Sequence, residues 1–156
     1  MRRLAIGVVL AYALDQVTKV WAVAALEGEP SRELVPGLLD LTFLRNPGAA
    51  FGMGASMTVI LSVVSLAVVV VVVRMAARLR DPWWTVGLGL LLAGALGNLT
   101  DRILREPGVL RGHVVDFLDY GPFVGNVADI YLTVAAVVII VRSWQGYALD
   151  GTKESR

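Results

Sequence analysis

The chain has 156 residues, with 14 Lys+Arg against 13 Asp+Glu, and is 56% hydrophobic and only 17% charged, with a mean hydropathy of +0.69. Soluble domains carry about 25% charged residues, so this composition excludes a soluble globular domain and a disordered chain. A net charge of +1 implies no basic face for nucleic acid. There is no cysteine, and His113 is the single histidine. Disulfides, a thiol nucleophile and zinc held by several His or Cys are therefore excluded. No metal and no other cofactor is expected, although carboxylates alone could formally hold a metal.

A membrane-spanning helix needs about 20 mostly apolar residues. Four windows qualify: 4–26, broken by Asp15 and Lys19; 57–73, Val-rich and uncharged; 82–100, uncharged; and about 124–141, with Asp129 as its only charge. They leave too little polar sequence to cover a soluble fold, and one integral membrane domain over 1–156 is expected. Arg2-Arg3 and Ala22-Val23-Ala24 imitate a cleaved leader. Asp15 and Lys19 spoil its apolar centre, so the first window is read as a retained span. In the link that follows, Leu39, Leu41 and Phe43 alternate with Asp40 and Thr42, between turn signals at Pro36-Gly37 and Asn46-Pro47-Gly48. That predicts a small hairpin or sheet lying on the membrane. In the link before the fourth window, His113-Val114-Val115-Asp116-Phe117 reads as a short extended piece between Pro107-Gly108 and Gly121-Pro122.

Arg2, Arg3, Arg74, Arg78, Arg80, Arg142, Lys153 and Arg156 all fall on one side of a four-span topology. The acid-rich links 27–56 and about 101–123 fall on the other. The Lys/Arg bias predicts that both termini are cytoplasmic. Asp15 then lies near the bilayer middle, with Lys19 one turn further out. Asn98, Asp101 and Arg102 sit at the outer end of the third span, Asn126 and Asp129 in the outer turns of the fourth, and Asp116 just outside. Polar residues of three spans thus collect toward the outer interface.

Each has a plain reading. Asp15 and Lys19, four apart, can neutralise each other. Asp101 and Arg102 can be interface charges, and Asn98 an interhelical hydrogen bond. Asp119 and the link glutamates read as solvated, and His113 as a polar loop residue with no serine placed for a triad. Asp129 differs, because an ionisable residue inside a span is a functional candidate by default. Asp116, between Val115 and Phe117, also has apolar surroundings. Two carboxylates brought together at low dielectric do not both ionise easily. The charged one can take a proton from water while the neutral one donates to a carbonyl oxygen. The same acids could instead serve a proton- or cation-coupled transporter with Asp15 and Asp129 as relays, although transporter sites usually lie at the midplane. A non-catalytic scaffold explains the helices but not the clustering.

Five strings then carry a resemblance across nearly the whole chain. Asp15-Gln16-Val17-Thr18-Lys19, Arg45-Asn46-Pro47-Gly48-Ala49-Ala50-Phe51, Gly97-Asn98-Leu99-Thr100-Asp101-Arg102, Val114-Val115-Asp116-Phe117 and Asn126-Val127-Ala128-Asp129 follow one another in order. Together they resemble the lipoprotein signal peptidases, or signal peptidase II. The resemblance implies an all-α membrane fold of four transmembrane helices with a small extracytoplasmic β-cradle. It implies an aspartyl endopeptidase of the bacterial cytoplasmic membrane that cuts prolipoproteins before the lipid-modified cysteine, and a target of globomycin. Asp116 and Asp129 would be the catalytic pair. Asn46, Gly48, Asn98, Arg102, Asn126 and Ala128 would bind substrate or support the pair, and Asp15, Lys19 and Asp101 would hold the site together. Lipid-modified prolipoprotein and membrane lipid are the implied partners, and a monomer is expected. Gly125 departs from the family's usual Phe, and the stretch from Asp116 to Asp129 is short. Gly125 is read as allowing a tight turn into the fourth span.

Overall fold

The computed structural model describes residues 2–48 and 54–153. Its elements run α1 (Arg2–Leu26), β1 (Arg32–Val35), β2 (Leu39–Asn46), α2 (Gly54–Ala76), α3 (Pro82–Leu104), β3 (Val114–Asp119), β4 (Val124–Gly125) and α4 (Val127–Trp144). All four helices are long and apolar enough to cross a membrane. Ala49, Ala50 and Phe51 of the second string, and Arg156, lie outside the described residues.

The burial pattern is inverted relative to a soluble bundle. On α1, Asp15 and Lys19 are fully buried, while Leu10 and Val17 are each 65% exposed. The buried stripe Leu4, Val8, Asp15, Lys19, Ala22, Leu26 keeps the spacing of one helix face. Apolar side chains on the opposite face are what a helix presents to lipid. At the centre is α3, which touches α1, α2, α4 and β3. Small residues permit this. A Cβ on Gly94 would stand 2.8 Å from the Ala128 carbonyl oxygen and 2.9 Å from Leu132 Cγ, and one on Gly97 would run into Asp15 Oδ2. Close backbone approach of this kind is how helices associate when lipid competes equally for apolar surface.

The start of α3 is fastened separately. Asp81 caps it, accepting from the Trp84 N–H at 2.8 Å, and Pro82 opens the first turn. Arg142 of α4 donates to Asp81 Oδ1 at 3.1 Å and pairs with Oδ2.

At the other end, the strands form one antiparallel sheet in the order β1-β2-β3-β4. Val115 and Phe117 pack on Ala22 and Leu26 of α1, and Trp21 meets Phe117 edge to face at 6.1 Å. The alternation at Leu39–Phe43 thus belongs to a real strand, and the extended piece around Asp116 is its neighbour.

The fourth span starts later than expected. Val124 and Gly125 pair with Asp119 and Leu118 as β4, and the helix begins only after Asn126, its cap. The Ala128 N–H donates to Asp15 Oδ1 at 2.9 Å, which sets the first turn of α4 level with Asp15. From there α1 runs on to Leu26 and α3 from Gly97 to Leu104, roughly 16 Å and roughly 10 Å further at about 1.5 Å per residue. The top of α4 is therefore recessed below its neighbours, and β3 and β4 fill the gap.

Replacing Gly94 by Leu should overpack the α3–α4 contact at a cost of about 1–3 kcal/mol. Thermal unfolding of the detergent-solubilised protein should show a clearly lowered midpoint. An unchanged midpoint would mean that the helices are not in close contact there.

Candidate active site

The site is built outward from Lys19. Its ammonium, fully buried, lies 3.1 Å from Asp15 Oδ2 and 2.9 Å from Asp101 Oδ2, and donates to Asn98 Oδ1 at 2.9 Å. All three of its donors are thus engaged. Asp15 and Lys19 do more than neutralise each other, because Lys19 reaches across to α3. Asp15 accepts from Gln16 at 2.9 Å and from Ala128 of α4. Asp101, 1% exposed, is not an interface charge. It accepts from Arg105 Nε at 2.6 Å and from the Val115 N–H of β3 at 3.2 Å.

Asp116 projects from β3 on the face opposite Val115 and Phe117, as strand alternation requires. Each of its oxygens takes an amide donor: Asn126 Nδ2 to Oδ1 at 2.5 Å and Asn46 Nδ2 to Oδ2 at 2.7 Å. Asn46 is fixed by its own turn. Its Oδ1 accepts from the Gly48 N–H at 2.8 Å, so its Nδ2 is left to face the carboxylate. Gly48 has φ +91 and sits against Leu61, a position for which glycine is suited. Asp116 is 1% exposed. Burial pushes its carboxyl up to about 6 from an ordinary 3.8. The charge of Asp129 adds to the rise, while hydrogen bonds from Asn46 and Asn126 and the charge of Lys19 oppose it.

Asp129 sits in the first turn of α4. Asn126 and Asp129 form a reciprocal cap, the Asn126 N–H donating to Asp129 Oδ2 at 3.1 Å and the Asp129 N–H to Asn126 Oδ1 at 3.2 Å. Asn98 Nδ2 donates to Asp129 Oδ1 at 2.9 Å. Asn126 therefore bridges the two aspartates, with its side-chain amide on Asp116 and its backbone on Asp129. Asn126 Nδ2 also reaches Asn98 Oδ1 at 3.3 Å, which links the bridge back to Lys19.

Gly125 does not serve a tight turn, since its φ is not among the positive ones. It serves a close approach. A Cβ there would stand 3.1 Å from Asp129 Oδ2 and 3.3 Å from the Phe123 ring. Phe123 stacks on Tyr120 at 4.9 Å across the β3–β4 turn. The pair walls a cavity of about 250 Å3 that Asn126, Asp129, Ile130 and Val134 also line.

Arg102 is 8% exposed. It donates only a long bond of 3.4 Å to the Asn98 carbonyl, and its Nε has no partner. The charges of Asp116, Asp129 and Asp101 act on it. A buried unpaired donor is costly, and here it adjoins both aspartates. Ala128 contributes its backbone N–H and a fully buried methyl. All the residues singled out in the sequence for this site are brought together. Arg45 of the second string turns away, paired with exposed Glu27 at 2.8 Å. Arg105 and Gln16 were missed, although Arg105 follows Asp101 by the same four-residue step that joins Asp15 to Lys19. Among the described residues no group of three or more His, Asp or Glu is placed to hold a metal ion.

Lys19→Met would leave Asp15 buried without its cation and Asp101 with Arg105 alone, a loss of about 3–5 kcal/mol. Thermal unfolding should show a large drop in midpoint that Lys19→Met with Asp15→Asn partly recovers. Equal midpoints for parent and Lys19→Met would contradict this.

Comparison with known proteins places this arrangement in a family. The profile of Signal peptidase (SPase) II matches residues 7–145. The lipoprotein signal peptidase of Rhodococcus jostii is 48% identical over 149 residues, 95% of this chain and 74% of that protein. That of Streptomyces griseus is 45% identical over 145 residues, 92% of this chain and 74% of that protein. A bacterial membrane enzyme solved by the in meso method at 1.9 Å superposes with TM-score 0.79 at 29% identity, covering 92% of this chain and 93% of the other. A second such structure, at 2.3 Å, gives TM-score 0.78 at 28% identity, covering 100% and 96%. The chain belongs to the signal peptidase II family.

Proposed function

We propose that this protein is a membrane aspartyl endopeptidase that removes signal peptides from diacylglyceryl-modified prolipoproteins, cutting before the modified cysteine, with Asp116 and Asp129 as its catalytic pair. The observation that carries the assignment is the bridging of these two carboxylates by Asn126 inside a buried network. In the proposed cycle Asp116 carries a proton and Asp129 is ionised. Asp129 removes a proton from a water whose oxygen attacks the scissile carbonyl carbon, and Asp116 gives its proton to the carbonyl oxygen. The resulting tetrahedral species collapses as the C–N bond breaks, with the proton on Asp129 passing to the departing amine and one hydroxyl proton of the tetrahedral species returning to Asp116. Arg102 Nε, the donor without a partner, is assigned to a substrate carbonyl. The side-chain amides of Asn46, Asn98 and Asn126 already serve the two carboxylates, so they are read as positioning residues.

The transporter reading is disfavoured by Asp15, whose two oxygens are occupied by Lys19, Gln16 and the Ala128 N–H. We place the protein in the bacterial cytoplasmic membrane with both termini cytoplasmic, from the Lys/Arg bias of its links. The paired aspartates then lie at the outward end of α4, level with Asp15 and recessed below the outer ends of α1 and α3.

Purified protein should cleave a synthetic diacylglyceryl-modified peptide before the modified cysteine, with activity unaffected by chelator. Asp116→Asn and Asp129→Asn should each lower kcat at least a thousandfold with the fold intact. Full activity in either variant would overturn the pairing.

A second expectation concerns pH. The Asp116 carboxyl is raised from 3.8 to about 6, so the folded protein binds a proton there that the unfolded chain releases. Its contribution to stability is full below about 3.8 and declines as pH rises through about 6. Infrared titration of the ligand-free protein should show a protonated carboxyl band with a midpoint near 6, absent in Asp116→Asn. A midpoint near the ordinary carboxyl value would contradict the assignment.

A further inference from the structure

We propose that the end of the bundle remote from the paired aspartates holds a site for one anionic lipid, gripped by its phosphate and by one hydrocarbon chain. A groove of about 620 Å3 lies between the first turns of α1 and the start of α3, well within the ~300–1,000 Å3 of ligand pockets. Arg2, Arg3 and Arg80 line it, and no Asp or Glu does. No salt bridge among the described residues uses any of the three. Arg80 donates one N–H to the Leu79 carbonyl at 3.3 Å, which leaves the other donors of its guanidinium. Asp81, next in the chain, is already held by Arg142 and by the α3 cap.

Away from this basic rim, the groove is apolar, with Leu4, Val8, Val86 and Leu90 among its walls. Two glycines open its floor. Nothing lies within 4 Å of where a Cβ on Gly7 would be, and one on Gly89 would meet only Leu4 and Val8. A free anion would be satisfied by the rim and leave the apolar part unfilled. A phosphate carrying a hydrocarbon chain fills both, which is the pattern of headgroup sites between membrane helices on the basic side. The groove lies at the end holding the Lys/Arg-rich links. In the orientation proposed above, that end faces the leaflet with the more negative surface. Occupancy would clamp the start of α1 to α3, roughly 18 Å along α1 from Lys19 at about 1.5 Å per residue.

The test uses the full chain in neutral detergent, with native mass spectrometry and thermal unfolding as readouts. Phosphatidylglycerol, phosphatidylcholine and glycerol phosphate are titrated separately. Phosphatidylglycerol should bind one per protein and raise the unfolding midpoint, and the other two should do neither. The triple variant Arg2→Gln, Arg3→Gln, Arg80→Gln should bind it about tenfold more weakly or worse. Gly7→Leu adds a better helix former into open space. It should keep peptide hydrolysis and an unliganded midpoint at or above that of the parent, yet lose the phosphatidylglycerol response. Unchanged binding in both variants, or equal binding of phosphatidylcholine, would overturn the proposal. Equal binding of glycerol phosphate would overturn it too, because the hydrocarbon chain would then contribute nothing.

Discussion

A cation in hydrocarbon must bring its counter-charges with it, and Lys19 sets that condition for this fold. Its ammonium is fully buried between Asp15 of α1 and Asp101 and Asn98 of α3. The partners then reach further. Asp15 takes the Ala128 N–H at the start of α4, and Asp101 takes the Val115 N–H of β3. One side chain therefore ties three helices and the sheet to a common level. A buried ion pair is weak evidence for net stability, since an apolar replacement of both partners is often as good. In a membrane its value is registry. Lipid competes for every apolar surface, so directional polar contacts and close backbone packing decide how helices align.

That alignment places the chemistry. Because Asp15 holds the first turn of α4 level with its own position, α4 begins below the tops of α1 and α3. The recess is filled by β3 and β4, which carry Asp116 in from the sheet while α4 carries Asp129 up from the bundle. Asn126 stands at the junction of strand and helix and touches both. Gly125 lacks a side chain where Asp129 and Phe123 crowd in. The short β3–β4 turn and its Tyr120–Phe123 stack thus wall one side of the cavity beside Asp129. The cavity beside Asp129 runs along Ile130 and Val134, which are each 42% exposed on the flank that α4 turns to lipid.

Much of this was legible in the residues. The four spans announce themselves by length and hydropathy, and the alternation at Leu39–Phe43 marks β2. The charges inside spans had to converge, because isolated ones are too costly in hydrocarbon. Other features were not legible, for identifiable reasons. The sequence extends the fourth span back to about Val124 because Val124 and Gly125 carry no charge to separate them from the helix that follows. Only cross-strand pairing with Asp119 and Leu118 distinguishes them. The amide directions of Asn46, Asn98 and Asn126 depend on which partners tertiary packing supplies. Asp81 and Arg142 lie 61 positions apart, and nothing local couples them. Gly125 reads as a turn residue in the sequence, whereas its use lies in what packs against it.

The central claim is that paired carboxylates activate water directly, with no covalent intermediate on the protein. A single turnover of the lipid-modified peptide in heavy-oxygen water, followed by mass spectrometry of both peptide and protein, tests it most directly. The account predicts one heavy oxygen in the new carboxylate of the released signal peptide and none in Asp116 or Asp129. Heavy oxygen in either aspartate, or an acylated protein trapped during turnover, would contradict it.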